Sequence, residues 1–207
     1  EGDGCCSLTA TGELLRRDAS LSLCSHAQWW SQQAWGVWSD LMGSVRTGHS
    51  KREREHGQRG FDHLAADADS AHLFHRSMAE LTRLVAVELA SSPALPDSGV
   101  VLDVGGGHGE LLAEVLRARP ELRGVLFDLE HAVAGALEHL REAGVAGRAK
   151  VTAGDFFAAL PGPADAVLLK SVLHDWDDAD AARILRRARE ALAPGGRVLV
   201  IERVMPD

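Results

Sequence analysis

The run LLKSVLHDWDD, Leu168–Asp178, leaves an apolar stretch and sets down a lysine, a histidine and several acids within a few positions. A histidine at such a strand tip is suited to take a proton from a hydroxyl, because imidazole is the side chain that titrates nearest neutral pH. On these residues alone two readings stay open: His174 works as a general base, or it is a structural histidine at a strand end. Asp177, Asp178 and Asp180 also carry two readings. They stand where a helix should start, and negative charge there suits the helix dipole by about 0.3–1 kcal/mol. The other use of clustered carboxylates is to hold a divalent cation. Capping accounts for their placement, so no metal site is expected.

A second group of chemistry-bearing residues lies upstream. VLDVGGGHGEL contains Gly105, Gly107 and Gly109 in G-x-G-x-G spacing. Glycines let a chain turn sharply and approach a ligand closely, and a helix that follows offers free N–H groups at its start. Alone the motif is weak. Asp128 in LFDLE follows about 20 residues on, where an acid can accept from both hydroxyls of an adenosine ribose. Asp155 and Phe156 in AGDFF then offer an acceptor for an adenine amino group and a ring to pack on it; the plainer reading of Asp155 is a turn cap. A dinucleotide fingerprint would want glycine where Glu110 stands, and a carboxylate beside a pyrophosphate is unfavourable. A phosphate-free ligand with a cationic sulfonium, S-adenosylmethionine, fits this acidic surround better.

These residues need a scaffold that brings them to one edge. GVVLDVGG, RGVLFDL, AKVTAGD, ADAVLLKSVL and RVLVIERVM read as strands, separated by helical stretches at ELLAEVLRARP, AVAGALEHLREAG and DADAARILRRAREALAPGG. Alternating β and α units predict an α/β fold, a doubly wound parallel sheet, whose ligands bind at the carboxyl ends of the strands. SSPALPDSGV, Ser91–Val100, reads as a linker, which places a first domain at 1–92 and a second at 93–207. The first reads as helical: a strand and short helical turn at Ser7–Asp18, then one long helix carrying Trp30, Val37, Leu41 and Val45 on a single stripe. Core or subunit packing suits these tryptophans better than substrate stacking. Lys51–Gly60 reads as a solvated loop. A later amphipathic helix carries Phe74, Met78, Leu81, Val85 and Leu89, with Asp69 as its N-cap.

The bulk numbers exclude several classes. The 207 residues carry a formal charge of −8, which argues against general nucleic-acid binding. Three cysteines, two of them adjacent, make a poor disulfide framework and suit a reducing cytoplasm. No apolar run reaches the roughly 20 residues that a membrane helix needs.

Taken in order, VLDVGGGHGELL, FDL, GDFF, LLKSVLHDWDD and APGGRVLVIERVMPD resemble the class I S-adenosylmethionine-dependent O-methyltransferases of the plant and bacterial small-molecule type, as do LTATGELLRRD and residues 61–90. The resemblance covers nearly the whole chain. It implies a Rossmann-like catalytic domain preceded by a partial helical, winged-helix-type dimerisation domain, and a homodimer through the N-terminal helices. It implies a small aromatic or polyketide-type substrate methylated on a hydroxyl. It assigns Gly105, Gly107, Asp128, Asp155, Phe156 and Lys170 to the cofactor, His174 to the general base and Glu202 to the acid that positions that base. Phe74 and Met78 fall where the family lines its substrate pocket; core packing suits them equally. The chain is expected to be shortened at both ends, with a second catalytic acid of the family falling beyond it and an apolar edge left on the fifth strand.

Overall fold

The computed structural model describes residues 6–57, 64 and 67–204. By its contacts the chain divides into two compact units, Glu1–Leu84 and Val85–Asp207.

The second unit holds the sheet. Strands β1 (Gly99–Val104), β2 (Leu122–Asp128), β3 (Ala149–Ala153), β4 (Ala164–Lys170) and β5 (Leu192–Ile201) pair in the order β3-β2-β1-β4-β5. All four pairings are parallel. The carboxyl ends therefore share one edge, and the order reverses direction between β1 and β4. Along β1 and β4 side chains alternate between two faces, as a pleated strand requires. Val101, Ala166 and Leu168 join Leu111, Leu112, Leu116 and Leu140 on one side. Leu102, Val104, Val167 and Leu169 join Ile184 and Ala188 on the other. Burial on both faces explains why these strands read as nearly continuous apolar runs. The covering helices of this unit are α7 (Glu110–Ala118), α8 (Ala136–Glu142) and α9 (Asp178–Glu190). Helix α9 starts as expected: Asp177 Oδ1 accepts from the Asp180 N–H at 2.9 Å. The fifth strand begins earlier than the Pro194-Gly195-Gly196 stop suggested, at Leu192, and a register shift opposite Ala164 and Ala166 accommodates the irregular residues.

The first unit is helical among the described residues: α1 (Ala10–Glu13), α2 (Cys24–Trp29), a π turn (Trp30–Ala34), α3 (Trp35–Trp38), α4 (Leu41–Thr47), α5 (Lys51–His56) and α6 (Ala68–Ser91), whose last residues belong to the second unit. Four expectations are corrected here. Residues 7–9 form no strand; Thr9 instead caps α1, its hydroxyl accepting from the Gly12 N–H at 3.0 Å. The long tryptophan-bearing helix is interrupted, because Asp40 starts a new helix by accepting from the Gly43 N–H at 3.2 Å. The segment expected as a loop is helical over Lys51–His56: Ser50 caps it through the Glu53 N–H at 3.1 Å, and left-handed Gly57 ends it. The rest of that expected loop, 58–60, lies outside the described residues. Finally, Asp67 and not Asp69 caps α6, accepting from the Asp69 and Ser70 N–H groups at 3.1 and 3.2 Å.

Candidate active site

The glycine loop joins β1 to α7. Gly105, Gly107 and Gly109 all take left-handed φ, at 71°, 55° and 85°, a region that a Cβ disfavours. Gly106 is required for a different reason: a Cβ there would stand 2.6 Å from Asp103 Oδ2 and 2.5 Å from Leu126 Cδ1. The Gly105 N–H donates to the Phe127 carbonyl at 2.8 Å. The Gly107 N–H donates to Asp128 Oδ2 at 2.8 Å, so the loop and the tip of β2 are one piece. Asp128 Oδ1 accepts from the Leu129 N–H at 2.7 Å. A carboxylate has about four acceptor sites, so Asp128 keeps roughly two for hydroxyl donors. Burial pushes this carboxyl above its ordinary range, against the opposing pull of the Leu129 and Gly107 N–H groups and His131.

Asp155 and Phe156 follow β3 on the same edge. Asp155 is exposed and turns its Oδ1 to the Phe157 N–H at 2.8 Å, so its capping role is real. Its remaining acceptor sites face outward. Phe156 is half-buried, edge-on to Phe157 and Trp176 with ring centroids 4.9 and 5.7 Å apart. Trp176 packs the loop after β4 against these rings.

Lys170 ends β4. Burial lowers its ammonium from the ordinary value, while the Asp103 and Glu202 carboxylates pull the other way. The next residue, Ser171, has φ 55°. A side-chain-bearing residue in that region is uncommon and clusters at functional sites. Its N–H donates to the Ile201 carbonyl at 3.0 Å, which locks the turn to the end of β5. The chain then enters a short 3₁₀ turn, Leu173–Asp175, that presents an exposed His174.

Glu202 follows β5 and organises this turn. Its Oε1 accepts from the Val172 and Leu173 N–H groups, both at 3.0 Å, and its Oε2 lies 2.7 Å from His174 Nδ1. An ionised carboxylate only accepts, so Nδ1 carries the hydrogen and Nε2 is the nitrogen left to work. Asp175 Oδ1 stands 3.4 Å from that Nε2. Burial raises the Asp175 carboxyl above its ordinary value; His174 opposes this and Glu202 adds to it.

The structure thus brings Gly107 to Asp128 and His174 to Glu202, on neighbouring strand tips. Phe74 and Met78 lie on α6 in the first unit, both half-buried, Phe74 with its ring centroid 5.8 Å from that of Trp29. One functional group escaped the sequence reading. Asp103 is 1% exposed beneath the glycine loop, and the only signal was an acid inside an otherwise apolar strand. Among the described residues no cluster of His, Cys, Asp or Glu is placed to hold a metal ion. No described helix is long and apolar enough to cross a membrane.

The loop and the acids fit S-adenosylmethionine: the left-handed glycines put no side chain over the tip of β1, Asp128 keeps free acceptor sites on the neighbouring strand, and Asp155 does so after the strand beyond it. A family described as an O-methyltransferase domain matches residues 38–207. The chain is 40% identical over its whole length to an O-demethylpuromycin O-methyltransferase of Streptomyces alboniger, spanning 55% of that protein. It is 41% identical over 81% of its length to an aclacinomycin 10-hydroxylase of Streptomyces purpurascens, spanning 45% of it. Among solved structures it resembles an O-methyltransferase of neocarzinostatin biosynthesis in complex with S-adenosylmethionine and 2-hydroxy-5-methyl naphthoic acid. That likeness has a TM-score of 0.82 at 35% identity, over 98% of this chain and 63% of the other. The chain spans about half the length of the curated relatives it matches.

Proposed function

The chain belongs to the O-methyltransferase domain family, and from that membership we propose that it binds S-adenosylmethionine at the carboxyl edge of its sheet and methylates a hydroxyl, phenolic in kind, of a small aromatic or polyketide-type metabolite. The observation that carries this reading is the His174–Glu202 pair, 2.7 Å apart, one and two strands along from the glycine loop.

Gly105, Gly107, Asp128, Asp155, Phe156 and Lys170 are the residues that would hold the cofactor, with Asp128 on ribose hydroxyls and Asp155 and Phe156 at the adenine. When bound, S-adenosylmethionine supplies an electrophilic methyl group on a sulfonium. The protein's own task is to align a hydroxyl oxygen and remove its proton. A phenol with a pKa of about 10 is mostly protonated at neutral pH, so a positioned base is worth roughly 10²–10⁴ in rate. His174 Nε2 takes that proton. Glu202 fixes the imidazole by Nδ1 and stabilises the cation that forms, while its other oxygen holds the backbone turn in place. Replacing His174 with Ala should lower turnover about 10²–10⁴-fold and leave S-adenosylmethionine affinity within a few fold. Unchanged turnover would remove the base assignment.

The relative named as a hydroxylase favours a second reading, in which the site binds the same cofactor without transferring methyl. Mass spectrometry of the product separates them: a gain of one methylene supports methylation, a gain of one oxygen the alternative.

We further propose a homodimer through the N-terminal helices in the cytoplasm, with residues 1–92 as the dimerisation part and 93–207 as the catalytic part. The exposure of Trp35, Trp38 and Val45 at 74%, 58% and 71% supports it. Phe74 and Met78 are assigned to the substrate. A rise in KM for Phe74→Ala supports that assignment; a loss of stability alone would make Phe74 only packing for Trp29.

A further inference from the structure

Asp103 is the least expected group in the second unit. It lies in β1 among Val101, Leu102 and Val104, each wholly buried, and is itself 1% exposed. Strand alternation puts it on the side of α7, where the backbone N–H of Leu112 favours its charged form. That N–H is one of the donors at the start of α7, whose own Gly109 offers no side-chain cap. Its other oxygen, Oδ2, finds no hydrogen-bond partner among the described residues, and it is pressed against Gly106 closely enough to exclude any Cβ there.

A carboxylate in that position is poorly served. One backbone donor does not replace the water it lost, and burying an incompletely bonded charge is costly. The groups around it decide its state. Asp128 faces it from β2 with the same sign; Lys170 faces it from β4 with the opposite sign. Lys170 divides its charge between Asp103 and Glu202 and is itself opposed by Arg203, while Asp128 is drawn on by His131. Burial first, then Asp128, push the Asp103 carboxyl up to about 7, against Lys170 and the Leu112 N–H.

Building on the cofactor reading above, we infer that Asp103 holds a proton in the empty site and gives it up when a cationic cofactor settles over the glycine loop, so that S-adenosylmethionine binding releases a proton to solvent. The balance is simple. The O–H bond of the carboxylic acid breaks, the proton leaves to buffer, and the carboxylate that remains answers the arriving positive charge. Asp103 is a positioning residue here: it lies against Gly106 beneath the loop, and its charge follows the charge above it. S-adenosylhomocysteine keeps the ammonium and carboxylate but lacks the sulfonium cation. Its binding should release clearly less.

Isothermal titration calorimetry of the full chain at pH 7, in buffers of different ionisation enthalpy, measures the proton count directly. For S-adenosylmethionine the expected release is about half a proton per site, since a group titrating near the working pH is about half protonated there. The count should persist in His174→Gln and vanish in Asp103→Asn. Asp103→Asn keeps an acceptor for the Leu112 N–H. Should it fail to fold, the wild-type affinity profile decides instead: affinity for S-adenosylmethionine should rise with pH between about 5.5 and 7.5, by at most tenfold per unit, and level off above, with a flatter profile for S-adenosylhomocysteine. Binding with no buffer dependence, equal release by both ligands, or a release unchanged in Asp103→Asn would overturn the inference alone. No binding of either ligand would overturn the cofactor reading and this inference with it.

Discussion

The two units bury different things. In the second, nearly everything hidden is hydrocarbon: Leu102, Leu112, Leu126, Leu168 and Ile184 are wholly enclosed, and Asp103 and Glu110 are the buried charged residues. In the first, Ala34 and Leu64 are the buried apolar residues among those described, while Ser22, Ser25, Ser70, Ser77, Glu80 and Thr82 are hidden. Its large apolar side chains, Trp35, Trp38, Met42 and Val45, face outward. The second unit is thus an ordinary apolar core that can hold a strained, polar site at its edge. The first is fastened by hydrogen bonds instead. Glu80 accepts from the Ser25 and His26 N–H groups at 3.0 and 2.8 Å, His26 Nδ1 meets Ser77 Oγ at 2.9 Å, and Trp30 Nε1–H donates to His26 Nε2 at 3.1 Å. Hydrogen bonds contribute about 1 kcal/mol net each, whereas a fully buried Leu contributes about 1.5–3. An interior of the first kind gains from a partner that covers its outer face.

Substitutions can break this contrast in order of expected size. Leu168→Ala should destabilise the second unit by about 2–5 kcal/mol, read as a fall in denaturation midpoint. A smaller loss would mean that the sheet core is loosely packed. Asp103→Asn tests the more deeply buried of the two carboxyls, Asp103 and Glu110, through pH. Its folded value, about 7, lies above the ordinary carboxyl value. The stability it contributes is therefore complete below pH ~4 and is lost as pH rises through about 7. The variant should gain on the wild type across that window, by a few kcal/mol at most, and hold a constant lead above it. Glu80→Ala strips two backbone donors at the start of α2 and should cost about 1–2 kcal/mol, confined to the first unit's signals in hydrogen exchange. Trp35→Ser, at an exposed position, should alter the monomer's stability by no more than about 0.5 kcal/mol but weaken self-association in light scattering. A large monomer effect would place Trp35 in an interior rather than on a face.

Legibility in the sequence followed the same divide. The strands of the second unit were plain because both faces are covered, leaving apolar runs between glycine and proline breaks. His174, Glu202, Gly107 and Asp128 stood out as candidates because each ends or follows such a run. Asp103 was missed because an acid within a strand has no local marker; its meaning depends on Gly106 and α7 folding over it. The first unit lacked apolar punctuation. Its helix starts were written in capping chemistry, Ser50 with Glu53 and Asp40 with Gly43, and the charge-rich Lys51–His56 helix passed for a loop because nothing apolar anchors it. The left-handed Ser171 was invisible for a related reason: the conformation is imposed by its pairing to Ile201, not by its own side chain.

Glu202 gathers two backbone amides and the imidazole on one carboxylate at the far end of β5. In the order β3-β2-β1-β4-β5 that strand pairs with β4 among the described residues, and strand ends open locally at lower free energy than the sheet interior. Fraying of a few residues at its tip would release the histidine while Asp128 and the glycine loop stayed intact. If the proposed function holds, warming would then end turnover some degrees before melting, with the cofactor still held in that interval.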